Sequence, residues 1–196
     1  AKISTKICVL ENLLGQVDVL IIGGAMAYTF LKAQGLEIGK SLCEEDKIED
    51  AKHFLENAKN SKTKVILPLD HAVVDDINNP ASLHIAATDK IPASNLGVDI
   101  GPKTIEEIQN IVKTAKTVLW NGPLGIFEIK EFSKGTFEVA HAVANCNGIT
   151  IIGGGDSSAA LTQSGLNEKI THISTGGGAA LEFLEGKLLP GVAVLE

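Results

Sequence analysis

Arginine is missing from this chain: all 17 basic residues are lysines. No side chain can therefore offer the planar two-pronged fork that grips a carboxylate or phosphate. An anion must be held by lysine ammonium groups, backbone N–H groups or a metal. Cysteine is scarce, and Cys8, Cys43 and Cys146 are odd in number and far apart. That excludes a disulfide framework or a zinc knuckle and fits a reducing compartment, the cytoplasm by default. Burial is the expectation for all three thiols. No apolar run reaches the roughly 18 residues that cross a membrane. The opening Ala1-Lys2-Ile3-Ser4-Thr5-Lys6 lacks the basic-then-apolar layout of a signal peptide, and the missing initiator methionine fits a piece of a longer chain. Positive charge is also in deficit, 17 basic against 24 acidic residues for a net −7, so neither a nucleic-acid backbone nor an anionic membrane is a natural partner.

What is present suits one compact domain: 196 residues, 44% hydrophobic and 21% charged. Short apolar runs at residues 19–22, 64–67, 117–120, 149–152 and 170–173 read as buried strands of a parallel sheet. Helical patterns fall between them at 28–34, 45–60, 104–114, 133–145, 157–163 and 178–185. The alternation predicts an α/β fold with a Rossmann-like parallel sheet, helices on both faces and three αβα layers. Ile3, Ile7, Leu10 and Leu14 predict an opening helix, on which Lys2 and Lys6, four apart, share a face. Thr104 and Glu107 have the spacing of a capping box. Residues 70–92 read as turn-rich short strands and loops at an edge.

Four strands end in glycine: Gly23-Gly24-Ala25, Gly122-Pro123-Leu124-Gly125, Gly153-Gly154-Gly155-Asp156 and Gly176-Gly177-Gly178. In open α/β sheets the crevice beyond the strand carboxyl ends takes the ligand, and glycine lets backbone N–H groups approach an anion at a helix N-terminus. One such end is ordinarily a tight turn; four together point to an extended, multi-phosphate ligand. The run from Gly35 to Ser41 is no P-loop, having three residues between its glycines instead of four and following a helix. No cluster supplies G-x-G-x-x-G, which leaves a nicotinamide-dependent oxidoreductase as the weaker alternative. A nucleotide-binding module without chemistry is a second alternative. Asp156 reads equally as a helix cap or a Mg²⁺ ligand. The five histidines show no metal spacing, and Trp120 reads as a packed residue at a strand end.

The strings IIGGAMAYTFLK (21–32), GVDIGPK (97–103), WNGPLGIFE (120–128), IIGGGDS (151–157) and STGGGAALEFLEGKLLPG (174–191) resemble the phosphoglycerate kinase family, in family order along the whole chain. The resemblance is to that family's C-terminal, nucleotide-binding half. It implies reversible phosphoryl transfer between ATP and the carboxylate of 3-phosphoglycerate, with Mg²⁺ on ATP or ADP. The N-terminal half that binds 3-phosphoglycerate has no counterpart here, so this piece is expected to bind nucleotide without efficient turnover, and the full-length enzyme is expected to be a monomer.

Carried over by motif, Lys2 and Lys6 reach the phosphates and the transferring group, and Gly176, Gly177 and Gly178 form the helix N-terminus facing it. Asp156 binds the metal. Ser157, where many members have threonine, binds the phosphates. Asn121 and Glu128 serve the ribose and phosphate side; Gly24, Ala25, Leu42, Gly97, Val98, Leu124 and Phe127 frame adenine and ribose; Gly122, Pro123, Gly154 and Gly155 are further nucleotide-binding residues. Two departures stand out. Ala25 replaces a usual third glycine, and the buried strand that precedes AKIS in the family is absent, which implies a sheet one strand short and a less stable domain.

Overall fold

The structure, a computed structural model, describes residues 2–195. Its opening is two pieces rather than one helix: a 3₁₀ turn over Ile3–Thr5 and helix α1 over Ile7–Leu13. Lys6 separates them at φ −130°, ψ −5°, so Lys2 and Lys6 do not share a helix face. Strand β1 (Val19–Ile21) leads to helix α2 (Met26–Ala33), helix α3 (Ile48–Lys59) and strand β2 (Lys64–Ile66), which pairs parallel with β1. Apolar residues at helical spacing bury these elements together: Ile3, Leu10, Ile22, Phe30 and Phe54 form one core, with the two rings edge-to-face at 5.5 Å.

Strands β3 (Asp70–Val74), β4 (His84–Ala87) and β5 (Leu96–Ile100) form an antiparallel sheet in the order β4-β3-β5. β3 is its centre, and all five of its residues are buried. The sequence places loops and edge strands here because Asp75-Asp76, Asn78-Asn79-Pro80 and Thr88-Asp89 are turn formers; the structure runs a buried strand through Asp70 and His71 and satisfies both. Asp70 takes the backbone N–H groups of Thr104 (2.9 Å, Oδ1) and Lys103 (3.0 Å, Oδ2), and the Thr104 hydroxyl at 2.8 Å. This caps helix α4 (Pro102–Thr114) from a neighbouring strand. The local Thr104/Glu107 capping box is therefore not formed: helix α4 starts two residues earlier, and Thr104 serves Asp70. His71 lies between the Tyr28 hydroxyl and Thr88 Oγ1, each at 3.1 Å.

Strand β6 (Thr117–Asn121), helix α5 (Lys134–Ala144), strand β7 (Ile149–Gly153), helix α6 (Gly155–Gln163), strand β8 (His172–Ser174), helix α7 (Gly177–Leu184) and the short α8 (Pro190–Ala193) complete the chain. The strands run parallel in the order β6-β7-β8. Trp120, Ile152, Ile108, Val139, Val143 and Leu161 belong to one core that joins these strands to α4, α5 and α6. The parallel strands are flanked by helices, as the α/β reading expects, with the antiparallel sheet as an addition. Cys8 departs from expectation: it is exposed, while Cys43 and Cys146 are half-buried.

The parallel strands fall into two groups. Among the described residues β1 pairs only with β2, and β6 only with β7. Both are apolar, yet β1 is only half-buried and Leu119 in β6 is 41% exposed.

Candidate functional site

The parallel register lines up the strand ends. Asn121 lies opposite Gly153, and Gly153 opposite Ser174. Gly154 then caps α6 and Gly176 caps α7, so two helix N-termini with unpaired first-turn N–H groups start beside this row. The loop after β1 joins it. Gly24 has φ +64°, and a Cβ there would stand 2.9 Å from the Pro123 carbonyl oxygen, so the loops following β1 and β6 touch. Ala25 is the N-cap of α2.

Lys6 enters this row from the opening turn. Its half-buried ammonium donates a hydrogen bond to Asn121 Oδ1. Burial pulls its pKa down and the charge of Asp156 pushes it up, with a net value below the usual 10.5. Asp156 is exposed in the first turn of α6. A cation, a neutral amide and a carboxylate thus converge where three strands stop. Lys2 is exposed at the start of the 3₁₀ turn, and its charge acts on Glu44. Among the described residues no three His, Cys, Asp or Glu side chains cluster as a metal cage. A lone exposed carboxylate suits Mg²⁺, which keeps waters and takes phosphate oxygens beside one or two carboxylates.

On β5, Gly97 N–H donates to Ser41 Oγ at 2.9 Å, which ties β5 to the segment that carries Leu42, 71% exposed. The α-carbon of Gly97 packs so closely on the Tyr28 hydroxyl that any side chain there would collide with it. Ile126 N–H donates to the Val98 carbonyl at 2.9 Å, tying the 122–128 loop to β5. Val98, Leu124 and Phe127 are buried and Glu128 is exposed. Ser157 is fully buried, and its Oγ accepts the Gly122 N–H at 2.6 Å. It lies under the loop and supports it.

Sequence reasoning missed the residues that hold these loops. Thr136 Oγ1 accepts the N–H groups of Leu124 (3.0 Å) and Gly125 (3.3 Å). Asp99 accepts those of Gly135 (2.6 Å) and Ile100 (2.9 Å). Burial pushes the Asp99 carboxyl up to about 7, outweighing both hydrogen bonds. Thr136 lies in a helix with no local motif, and Asp99 lies inside the GVDIGPK string, which marks the strand without showing that its carboxylate supports the 122–128 loop.

The fold defines an α/β domain whose parallel strands β6, β7 and β8 end side by side, beside the N-termini of α6 and α7. The family model "Phosphoglycerate kinase" matches residues 1–187, and the chain belongs to that family. The phosphoglycerate kinase of Borreliella burgdorferi is 56% identical over 196 residues, covering 100% of this chain and 50% of the relative. That of Clostridium botulinum is 54% identical over 195 residues, covering 100% and 49%. The solved structure of phosphoglycerate kinase from Coxiella burnetii superposes with TM-score 0.96 at 45% identity over 99% of this chain and 50% of that one. For the Pyrococcus horikoshii enzyme the values are 0.83, 30%, 100% and 49%. The chain spans about half the length of these relatives.

Proposed function

We propose that the chain is the ATP- and ADP-binding half of a phosphoglycerate kinase, an enzyme that transfers a phosphoryl group reversibly between ATP and the carboxylate of 3-phosphoglycerate in the cytoplasm. The observation that carries this reading is the convergence of Lys6, Asn121 and Asp156 at the ends of β6 and β7, beside two helix N-termini. Phosphoryl transfer passes through a loose transition state with charge spread over the phosphoryl oxygens, so positioning and electrostatics do most of the catalysis. Lys6 supplies positive charge on a buried stem, and the N-terminal N–H groups of α6 and of α7 (Gly176, Gly177, Gly178) orient the phosphates. Lys2 adds an exposed cation. Asp156 would hold Mg²⁺, which when bound neutralises phosphate charge. Gly97, Val98, Leu42 and the 122–128 loop hold the nucleoside. A carboxylate acceptor requires no general base.

The 3-phosphoglycerate site belongs to the half this chain does not span. Without it there is neither proximity nor closure against water, so the chain binds nucleotide and turns over poorly. The edges of β1 and β6 that have no strand partner among the described residues support a further strand between them, making one continuous parallel sheet. Ile21 already packs against the core that contains Trp120 and Ile152.

Calorimetric titration of the chain with MgADP and MgATP tests the assignment. Saturable binding is expected, weakened by Asp156→Asn and by Lys6→Ala by about tenfold each. Absence of binding by the folded chain, or indifference to both substitutions, overturns the site.

A further inference from the structure

The turn that carries Lys6 is tethered from forty residues away. Ser4 N–H donates to Glu44 Oε2 at 3.2 Å and the Ser4 hydroxyl to Glu44 Oε1 at 2.5 Å, so one carboxylate takes both donors. Glu44 is itself fixed, because its N–H donates at 3.2 Å to Oγ1 of Thr29, buried in α2. Slight burial pushes its carboxyl up, but the hydrogen bonds from Ser4 and the charge of Lys2 outweigh this, so its pKa lies below 4.5 and it is ionised at neutral pH.

From Ser4 the backbone reaches Lys6 in a single turn, closed by the Lys6 N–H to the Ile3 carbonyl at 2.9 Å. Ile3, fully buried, anchors the apolar side of that turn; Glu44 anchors the polar side. Leu42, two residues before Glu44, is exposed and follows Ser41, the acceptor of the Gly97 N–H. The 42–44 segment therefore connects the wall that would take the nucleoside to the lysine at the phosphate end. Exposed ion pairs contribute little as a rule. A single carboxylate accepting two hydrogen bonds from one residue is different, because it fixes the backbone as well as the side chain.

Resting on the nucleotide reading above, we infer that Glu44 is a positioning residue for the phosphate end of the site: by holding Ser4 at both amide and hydroxyl, it sets where the Lys6 ammonium meets Asn121. It acts through Lys6, so its removal affects phosphates and spares the nucleoside.

The test is titration of the wild-type chain, Ser4→Ala, Glu44→Ala and the double variant with two probes, MgADP and adenosine, which carries no phosphate. Glu44→Ala, which removes both hydrogen bonds, weakens MgADP about five- to tenfold; Ser4→Ala, which keeps the amide bond, weakens it about threefold; both leave adenosine within about twofold. The double variant matches Glu44→Ala, because the Ser4 hydroxyl acts only through that carboxylate. Parallel losses for adenosine, additive losses in the double variant, or unchanged MgADP affinity each overturn the clamp. Ser4→Ala, a small change at an exposed residue, guards against a misfolded Glu44 variant. Wild-type chain that binds no MgADP overturns the proposed function together with the clamp; wild-type binding with unaltered variants overturns the clamp alone.

Discussion

Two buried titratable residues give the domain opposed responses to pH. The Asp99 carboxyl is raised from 3.8 to about 7 by burial, so between those values the folded state holds a proton that the unfolded chain has lost, and stability falls as pH rises. Burial lowers His71 from 6.5 to about 4, with the charge of Asp70 opposing it. The unfolded chain therefore takes up a proton below 6.5 that the fold refuses, and stability falls as pH drops. The two effects overlap between about 4 and 6.5 and partly cancel. In Asp99→Asn only the histidine remains of the pair, and stability is expected to rise by roughly 2 kcal/mol from pH 4 to 6.5. Urea midpoints across that range read this directly; a wild-type chain and variant with parallel profiles would refute it. Gly97→Ala drives a methyl group into the Tyr28 hydroxyl. It is expected to weaken adenosine binding and lower the melting temperature together, measured by titration and calorimetry on the same sample.

The least legible element is β3, because periodicity reports burial only when apolar residues do the burying. Asp70 and His71 are paired with groups 34 and 43 positions away, and such pairing has no local signature. The cap on α4 shows the consequence: the sequence offers Thr104 and Glu107, while the fold uses Asp70. Replacing Asp70 by Ala leaves the Lys103 and Thr104 N–H groups of α4 without their carboxylate partner in a buried site, at a cost of about 1–3 kcal/mol. Glu107→Ala, at the unformed box, is expected to cost under about 0.5 kcal/mol. Urea unfolding of both variants decides between the two caps. Five strand positions and six helices are legible, since β-branched runs bounded by glycine or another turn residue and helical spacing are local properties. The opening helix was read as one piece because Ile3, Ile7, Leu10 and Leu14 keep the spacing across the break at Lys6.

For the whole molecule, the edges of β1 and β6 that have no strand partner among the described residues have a measurable consequence. A longer chain that adds one apolar strand ahead of Lys2 should pair both edges, cover Leu119 and gain at least about 2 kcal/mol against urea. Equal midpoints for the two chains would sink that expectation. The sequence by itself determined the α/β class, the glycines at the strand ends, the absence of arginine-based anion binding and the family. All of these follow from local composition, from short spacings or from strings read in order. The tertiary structure decided which side chains converge. It brought Lys6 to Asn121, 115 positions away, set Asp156 within reach of that ammonium, sank Ser157 beneath the loop and tied Ser4 to Glu44. The physical reason is that hydrogen bonds and desolvation act through space, between groups whose distance is fixed only once the sheets and helices have packed.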